Sequence, residues 1–422
     1  MTIQTRFPGR LSAISMAAAL GMLLSSAPAL AQGIVASPEM GTSISRMSDV
    51  QIADIIATAQ PADQVFSADR ASPTGRTMRS AAADAAPAEP MISQGFAGVP
   101  TRMMVDESAL RELQAEADAA VAASGGMSTD DAGIDNGNTI YHYSDALVPP
   151  QYFQWPYRSI GKYYFQASDS SWYSCSASLI HRAIIVTAGH CVYDGGRGDQ
   201  SGWNLQGFFV PGYNAANGNS HLYGVCDIRI MYTTNGWYYE GDLNGGYDVA
   251  LAVCGRLRDA RYARNYNGYL PGGRLGYLGF CYLNCARSYF HLTQFGYPSN
   301  LYDGDVMTSS AHLSVTGMPL PPQPSLNGVD YVYGSSHSSG TSGGPHIANV
   351  GYMQENPWIS TYYANRNIVF AVSSWGYTNR SIRISGASPL SGYNNTNWFR
   401  WMFNRACAQS RTYYGAWSCT NI

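Results

Sequence analysis

Apolar residues fall in short runs, rich in β-branched and aromatic side chains, between clusters of Gly, Asn and Ser. Examples are Ser178 to Ile180, Ala183 to Val186, Gly207 to Val210, Val249 to Val253 and Ile368 to Val372. Runs this short, bounded by turn residues, predict the strands of an all-β sandwich or barrel. The last apolar pattern, Trp398 to Ala406, has helical spacing and predicts a terminal helix packed on that core. Nearer the amino end the pattern is weaker. Ser48 precedes Ile52, Ile55 and Ile56 in a segment stopped near Pro61, and Asp106 precedes Leu110, Leu113 and Val121 before Gly125-Gly126, which predicts two helices. No internal repeat of fixed period is present.

The first 31 residues differ from both. Arg6 and Arg10 precede an apolar, Ala-rich run from Leu11 to Leu24, and Ala29-Leu30-Ala31 precedes Gln32, the three parts of a secretory signal. A single membrane anchor is the alternative, since about 20 residues suffice to span, but Ser25, Ser26 and Pro28 interrupt the apolar end. The expected location is therefore secreted or periplasmic, with no membrane partner after signal cleavage.

Composition then divides the rest of the 422-residue chain. Every Tyr, Trp, Cys and His lies after residue 136. Residues 32–135 are rich in Ala, Ser, Asp and Pro and can bury little apolar surface unaided; within them Ala71 to Pro90 reads as unstructured. Residues 33–135 hold 15 Asp and Glu against 6 Arg, whereas 136–422 holds 13 acidic and 17 basic residues, so the two blocks are expected to attract. The acidic block reads as a propeptide that inhibits its own chain, or else as a solvated linker. A maturation cut is expected between about Ser124 and Asn138, in an exposed Gly- and Asp-rich stretch. A formal net charge of −3, with 13% charged residues, carries none of the clustered basic charge that nucleic acid requires. The expected domains are thus a signal (1–31), an acidic propeptide (32–135) and a folded domain (136–422).

Three residues of the folded block could supply nucleophilic catalysis, which needs a hydroxyl, a base, a carboxylate to orient the base, and backbone donors for the oxyanion. Ser342 lies in Gly340-Thr341-Ser342-Gly343-Gly344-Pro345, where glycines permit a tight turn that bares the hydroxyl and aims the Gly340 and Ser342 amides at one spot. His190 ends the apolar run Val186-Thr187-Ala188-Gly189-His190-Cys191, and Asp248 opens the strand Val249 to Val253, where an unpaired carboxylate would be costly.

The order His, Asp, Ser, at intervals of 58 and 94 residues, resembles the chymotrypsin-like serine proteases. The resemblance extends to Cys175-Ser176-Ala177-Ser178-Leu179-Ile180 before the histidine and Ser373-Ser374-Trp375-Gly376 after the serine, and covers about residues 151–405. It implies a double β-barrel with a carboxy-terminal helix, preceded here by the signal and a weakly helical propeptide. It also implies a Cys175–Cys191 bridge, a triad of His190, Asp248 and Ser342, and an oxyanion hole of the Gly340 and Ser342 amides. Trp155 to Lys162 and Gly296-Tyr297-Pro298 are most similar to the bacterial glutamyl-endopeptidase branch.

Several residues depart from the family. Thr341 replaces the Asp with which animal members capture a new amino terminus. Ser336 stands where basic-specific members carry an Asp, and Ser373 and Ser374 stand where glutamate-specific members carry a histidine. With Ser336, His337, Ser374, Trp375 and Gly376 as the substrate-binding set, an apolar or aromatic P1 residue is expected. The alternative is glutamate, met by His337 as a cation and by the mature amino terminus. A non-catalytic module of the same fold and an esterase with the same triad are the rival functions.

The eight cysteines of an exported chain read as four disulfides, with 105 pairings open. Proximity pairs Cys226 with Cys254, Cys281 with Cys285 and Cys407 with Cys419. Cys281-x-x-x-Cys285 could also be half a zinc site, but no second pair follows it; neither metal nor other cofactor is expected. His142, His181, His221, His291, His312 and His346 read as structural, the tyrosines as barrel core and rim, and Met318 to Pro324 as a stiff insertion without an assignable role. The expected partners are protein or peptide substrates and the chain's own propeptide.

Overall fold

In a computed structural model the described residues are 33–40, 47–62, 65–66, 89–99, four helical residues between 108 and 115, 143–147, 152–215, 221–258, 267–286, 290–315, 319–320, 323–327, 330–351, 366–377, 382–391 and 397–422. The signal, most of Ala71 to Pro90, most of the second predicted helix and the expected maturation stretch lie outside them. No helix among the described residues is long and apolar enough to cross a membrane.

The amino-terminal block contributes β1 (Ile34–Ala36), helix α1 (Asp49–Thr58), β2 (Gln60–Pro61), β3 (Val65–Phe66) and β4 (Met91–Ser93), and β5 (Tyr143–Leu147) follows. Helix α1 forms where the pattern predicts it. Ser48 caps it in a reciprocal box with Gln51, satisfying two end donors, and Ile52 and Ile55 are its buried face.

Strands β6 (Ile160–Gln166), β7 (Trp172–His181), β8 (Ile184–Thr187), β9 (Gln206–Pro211), β10 (Cys226–Thr234) and β11 (Ala250–Cys254) pair antiparallel in the cycle β6-β7-β8-β11-β10-β9. The β9 pairings with both β10 and β6 close the barrel. Closure removes the edges where the strands overlap, but β7 meets β8 only from Ser178 onward, so Tyr173 and Ser174 keep a free pairing side. The second sheet contains β12 (Gly279–Leu283), β13 (Phe290–Gly296), β14 (Thr308–Ser314), β17 (Tyr331–Gly334), β18 (Pro345–Ala348), β19 (Ile368–Tyr377) and β20 (Ile384–Pro389). Its order β17-β20-β19-β18-β13-β14 closes through the Val315–Val332 bridge, and β5 pairs with the outer side of β14. Between β14 and β17 the Pro-rich insertion pairs as a hairpin of β15 (Pro319–Leu320) and β16 (Gln323–Asn327). Short helices α2 (Asn235–Glu240) and α3 (Pro271–Leu275) lie between strands, and α4 (Trp398–Tyr414) runs eight residues beyond the predicted Ala406.

The fold is thus the all-β, chymotrypsin-like double barrel with a carboxy-terminal helix. Tyrosines fill it: Tyr163, Tyr164, Tyr193, Tyr297, Tyr331 and Tyr333 are all fully buried. Four bridges join Cys175 to Cys191, Cys226 to Cys254, Cys281 to Cys285 and Cys407 to Cys419. A bridged Cys281–Cys285 pair offers no thiolate to zinc.

The amino-terminal block joins both sheets by backbone pairing. Strand β1 pairs antiparallel with β10, β2 pairs parallel with β7, β3 pairs parallel with β19, and β4 pairs antiparallel with β12. Arg158, buried inside the motif that begins at Trp155, donates to the carbonyls of Ala97, Val99 and Leu275. The described contacts between the blocks include these ladders, the buried guanidinium, apolar Ile52 and Ile55, and the Gln409 amide donating to Glu39 at 3.0 Å; most of the block's acidic residues, on which the expected charge attraction rests, lie outside the described residues.

Candidate active site

The turn bearing Ser342 is set by glycine. Gly340 (φ +92°) and Gly343 (φ +78°) adopt conformations that side chains rarely take. A Cβ on Gly343 would stand 2.0 Å from Thr187 Oγ1 and 2.8 Å from the Ala188 amide, so this turn packs directly on the segment leading to His190. Ser176 fastens the turn from β7: its amide donates to Ser342 O at 2.7 Å and its hydroxyl to Gly340 O at 2.8 Å. On the other side the Gly343 amide donates to Ser373 O at 2.8 Å.

His190 lies at the end of β8, where its amide donates to Asp248 Oδ1 at 2.7 Å and its Nδ1 lies 2.8 Å from Asp248 Oδ2. Ser374, expected to bind substrate, donates its hydroxyl to the same Oδ2 at 2.6 Å. Asp248 is wholly buried and has three donors, which offsets the cost of a charge in the interior. Its hydrogen bond on Nδ1 leaves Nε2 of His190 as the ring nitrogen directed elsewhere, the tautomer a general base requires. That Nε2 is buried without a hydrogen-bond partner. The Ser342 hydroxyl is turned instead to the carbonyl of Ala62, 3.5 Å away, and the Gly340 amide donates to the same carbonyl at 2.9 Å.

Beside Ser342, a small recess is lined by Gln294, Tyr333, His337, Ser373, Trp375 and Gly376, and a cleft of about 380 Å³ opens from it past Ser336, Ser338, Ser339, Arg383 and Ser385. Three features of this pocket were missed in the sequence. First, the Ser336 hydroxyl donates to the buried carboxylate of Asp145, carried by β5, 191 residues away in sequence. Second, the indole of Trp375 donates to Asp330 Oδ2 at 2.8 Å, and burial raises the Asp330 carboxyl to about 8. Third, His312 and His346, read as structural, lie 3.0 Å apart, and His346 Nε2 is 3.0 Å from the hydroxyl of Ser373 in the pocket wall. Nothing in linear spacing links these residues; only closure of the second barrel does.

The glutamate alternative required His337 to be a cation. His337 is buried, which lowers it to about 3, and its Nε2 is 3.3 Å from Thr308 Oγ1 and 3.9 Å from Asp145. Burial thus opposes the cationic form on which the glutamate alternative draws. Burial likewise lowers His312, to about 3, and His346.

Among the described residues the only group spaced for metal binding is Cys175, His190 and Cys191, and its two cysteines are bridged to each other.

Residues 156–225 match the trypsin family model. A curated relative, the "Extracellular metalloprotease" of Bacillus subtilis (strain 168), is 32% identical over 111 residues, which span 26% of this chain and 28% of that protein. Solved structures with a similar fold include the protease Anisep from Arthrobacter nicotinovorans, at 22% identity and a TM-score of 0.44, covering 60% of this chain and 96% of that one. A Glu endopeptidase is similar at 19% identity and a TM-score of 0.43, covering 65% of this chain and 100% of that one.

Proposed function

We propose that this chain, which carries a trypsin-like serine protease fold, is a secreted serine endopeptidase made as a signal (1–31), an inhibitory acidic propeptide (32–135) and a catalytic domain (136–422). The observation that carries this reading is the buried Asp248, His190 and Ser374 network packed against the glycine turn of Ser342. His190 takes the Ser342 proton as the hydroxyl attacks the scissile carbonyl and later gives it to the leaving amine. Asp248 holds the tautomer and stabilises the imidazolium, and the Gly340 and Ser342 amides hold the oxyanion. The curated relative's name speaks of a metal. Here the Asp248, His190 and Ser374 network beside the glycine turn of Ser342 favours the hydroxyl as nucleophile.

For the substrate, a neutral His337 and a carboxylate behind Ser336 disfavour a P1 glutamate. Trp375 and the open wall at Gly376 favour an apolar or aromatic side chain. Four disulfides and the extracellular relative fit export. The test is labelling by an organophosphorus reagent: Ser342 of the matured chain takes up one equivalent, and Ser342→Ala takes up none and hydrolyses no peptide. Hydrolysis by purified Ser342→Ala protein overturns the reading.

A further inference from the structure

On each side of Ser342 a strand turns one edge to the cleft between the barrels, and both edges are already paired with the chain's own residues. On one side Gln60 and Pro61 run parallel to Tyr173 and Ser174 of β7, and the Ala62 amide donates to Ser174 O at 2.8 Å. On the other, Val65 and Phe66 run parallel to Gly376 and Tyr377 of β19. Between them the Ala62 carbonyl receives the Gly340 amide at 2.9 Å and the Ser342 hydroxyl at 3.5 Å. Ala62 is buried.

The direction of this segment matters. On the proposed mechanism the pocket bounded by Trp375 and Gly376 takes the P1 side chain. A substrate's acyl half therefore lies along β19 and its leaving half toward β7. Gln60 and Pro61 enter at β7, and Val65 and Phe66 leave along β19. The Ala62 carbonyl fills the oxyanion position, and the chain goes on from it to β19, so a cut after Ala62 would put its leaving half on the pocket side. His190 would have to protonate a leaving amine on the β7 side, where this segment presents the Ala62 α-carbon and amide instead. The Ser342 hydroxyl, meanwhile, donates to the Ala62 oxygen, while His190 Nε2 is without a partner.

We propose that the cleft has a second, reversed peptide-binding mode, in which an extended segment with a small residue at the oxyanion position binds as an inhibitor that cannot be cut, and that Gln60, Pro61 and Ala62, with Val65 and Phe66, are its resident ligand. The inference rests on the catalytic reading above and adds its regulation. Backbone pairing on two edges supplies the affinity, and a small residue suits position 62 because Ala62 is buried where its carbonyl meets the Gly340 amide.

The test follows organophosphorus labelling of Ser342 in the full-length precursor before any maturation cut, with Ala62→Pro, which removes the donor to Ser174, and Ala62→Trp, which does not fit. The native precursor is expected to label at least tenfold more slowly than either variant and than the matured chain freed of residues 33–99, and the Ala62–Asp63 bond should be intact throughout. Should the variants not be secreted, native precursor and matured chain freed of residues 33–99 alone decide. Equal labelling rates of these two overturn the inference and leave the catalytic reading standing, as does self-cleavage at Ala62–Asp63. Absence of label on Ser342 in every form overturns both.

Discussion

Asp248 shows why single residues of this site are coupled. Its two oxygens receive the His190 amide, the His190 ring and the Ser374 hydroxyl. Asp248→Asn is expected to lower turnover on the order of 10⁴-fold by reversing the tautomer of His190. Ser374→Ala removes one hydrogen bond to a charged group, worth about 1.5 to 3 kcal/mol, so turnover should fall about tenfold or more while KM changes little. If Ser374→Ala instead raises KM alone, Ser374 binds substrate and does not position Asp248. Asp330, beneath Trp375, gives a pH dependence. Burial, and secondarily Asp248 and Asp242, raise its carboxyl to about 8 from the ordinary 3.8. The folded state then holds a proton that the unfolded state has already lost, so stability falls as pH rises from about 4 to 8. In an inactive Ser342→Ala background, Asp330→Asn should flatten this fall between pH 5 and 8 in urea unfolding; parallel curves would show that Asp330 is ionised throughout. His190, Asp248 and Ser342 were legible because each stands in a local pattern. Ser374, Asp330 and Asp145 were not, because their roles come from partners 126, 45 and 191 residues away.

At the scale of elements, the nucleophile turn is the most constrained. Gly343→Ala would combine a left-handed backbone with a Cβ 2.0 Å from Thr187 Oγ1, whereas Gly268, at φ +87°, has nothing within 4 Å of that position. Gly268→Ala should therefore fold and lose only on the order of 1 kcal/mol from backbone strain, and Gly343→Ala should yield no folded protein. Equal melting temperatures for the two would mean that the turn rearranges freely. The pocket, by contrast, is assembled from β5, the turn before Ser342, β19 and β20, and its preference follows from all of them. Matched substrates with Phe, Leu, Glu and Arg at P1 should be cut best after Phe or Leu. A tenfold preference for Arg would mean that Asp145 acts through Ser336 as the pocket's charge, and one for Glu that His337 is protonated despite its burial. Barrel strands and α1 could be read from the sequence because alternation, turn residues and the Ser48 cap are local signals. The short strands β1 to β4 could not, since two or three residues carry no period and become strands only by adding to edges that the barrels supply.

For the whole molecule, the division at about residue 136 was visible in composition, but the way its two sides join was not. A net of −9 against +4 suggests an electrostatic clamp, which salt would loosen over a Debye length of about 10 Å at 0.1 M. The described contacts add ladders of β1 on β10 and β4 on β12, the buried faces of Ile52 and Ile55, and Arg158 reaching the carbonyls of Ala97 and Val99. Backbone pairing and apolar burial respond little to ionic strength. A cut between residues 124 and 138 should therefore leave residues 33–99 attached to the catalytic domain as a noncovalent complex. Size-exclusion chromatography of the cut, Ser342→Ala chain tests this at 0.05 M and 0.5 M salt, with the fragment expected to co-elute at both. Release at the higher salt would mean that charge does hold the blocks together. In that case activation could follow from dilution into salt alone; if the fragment stays bound, a second cut within residues 33–99 is needed before the cleft opens.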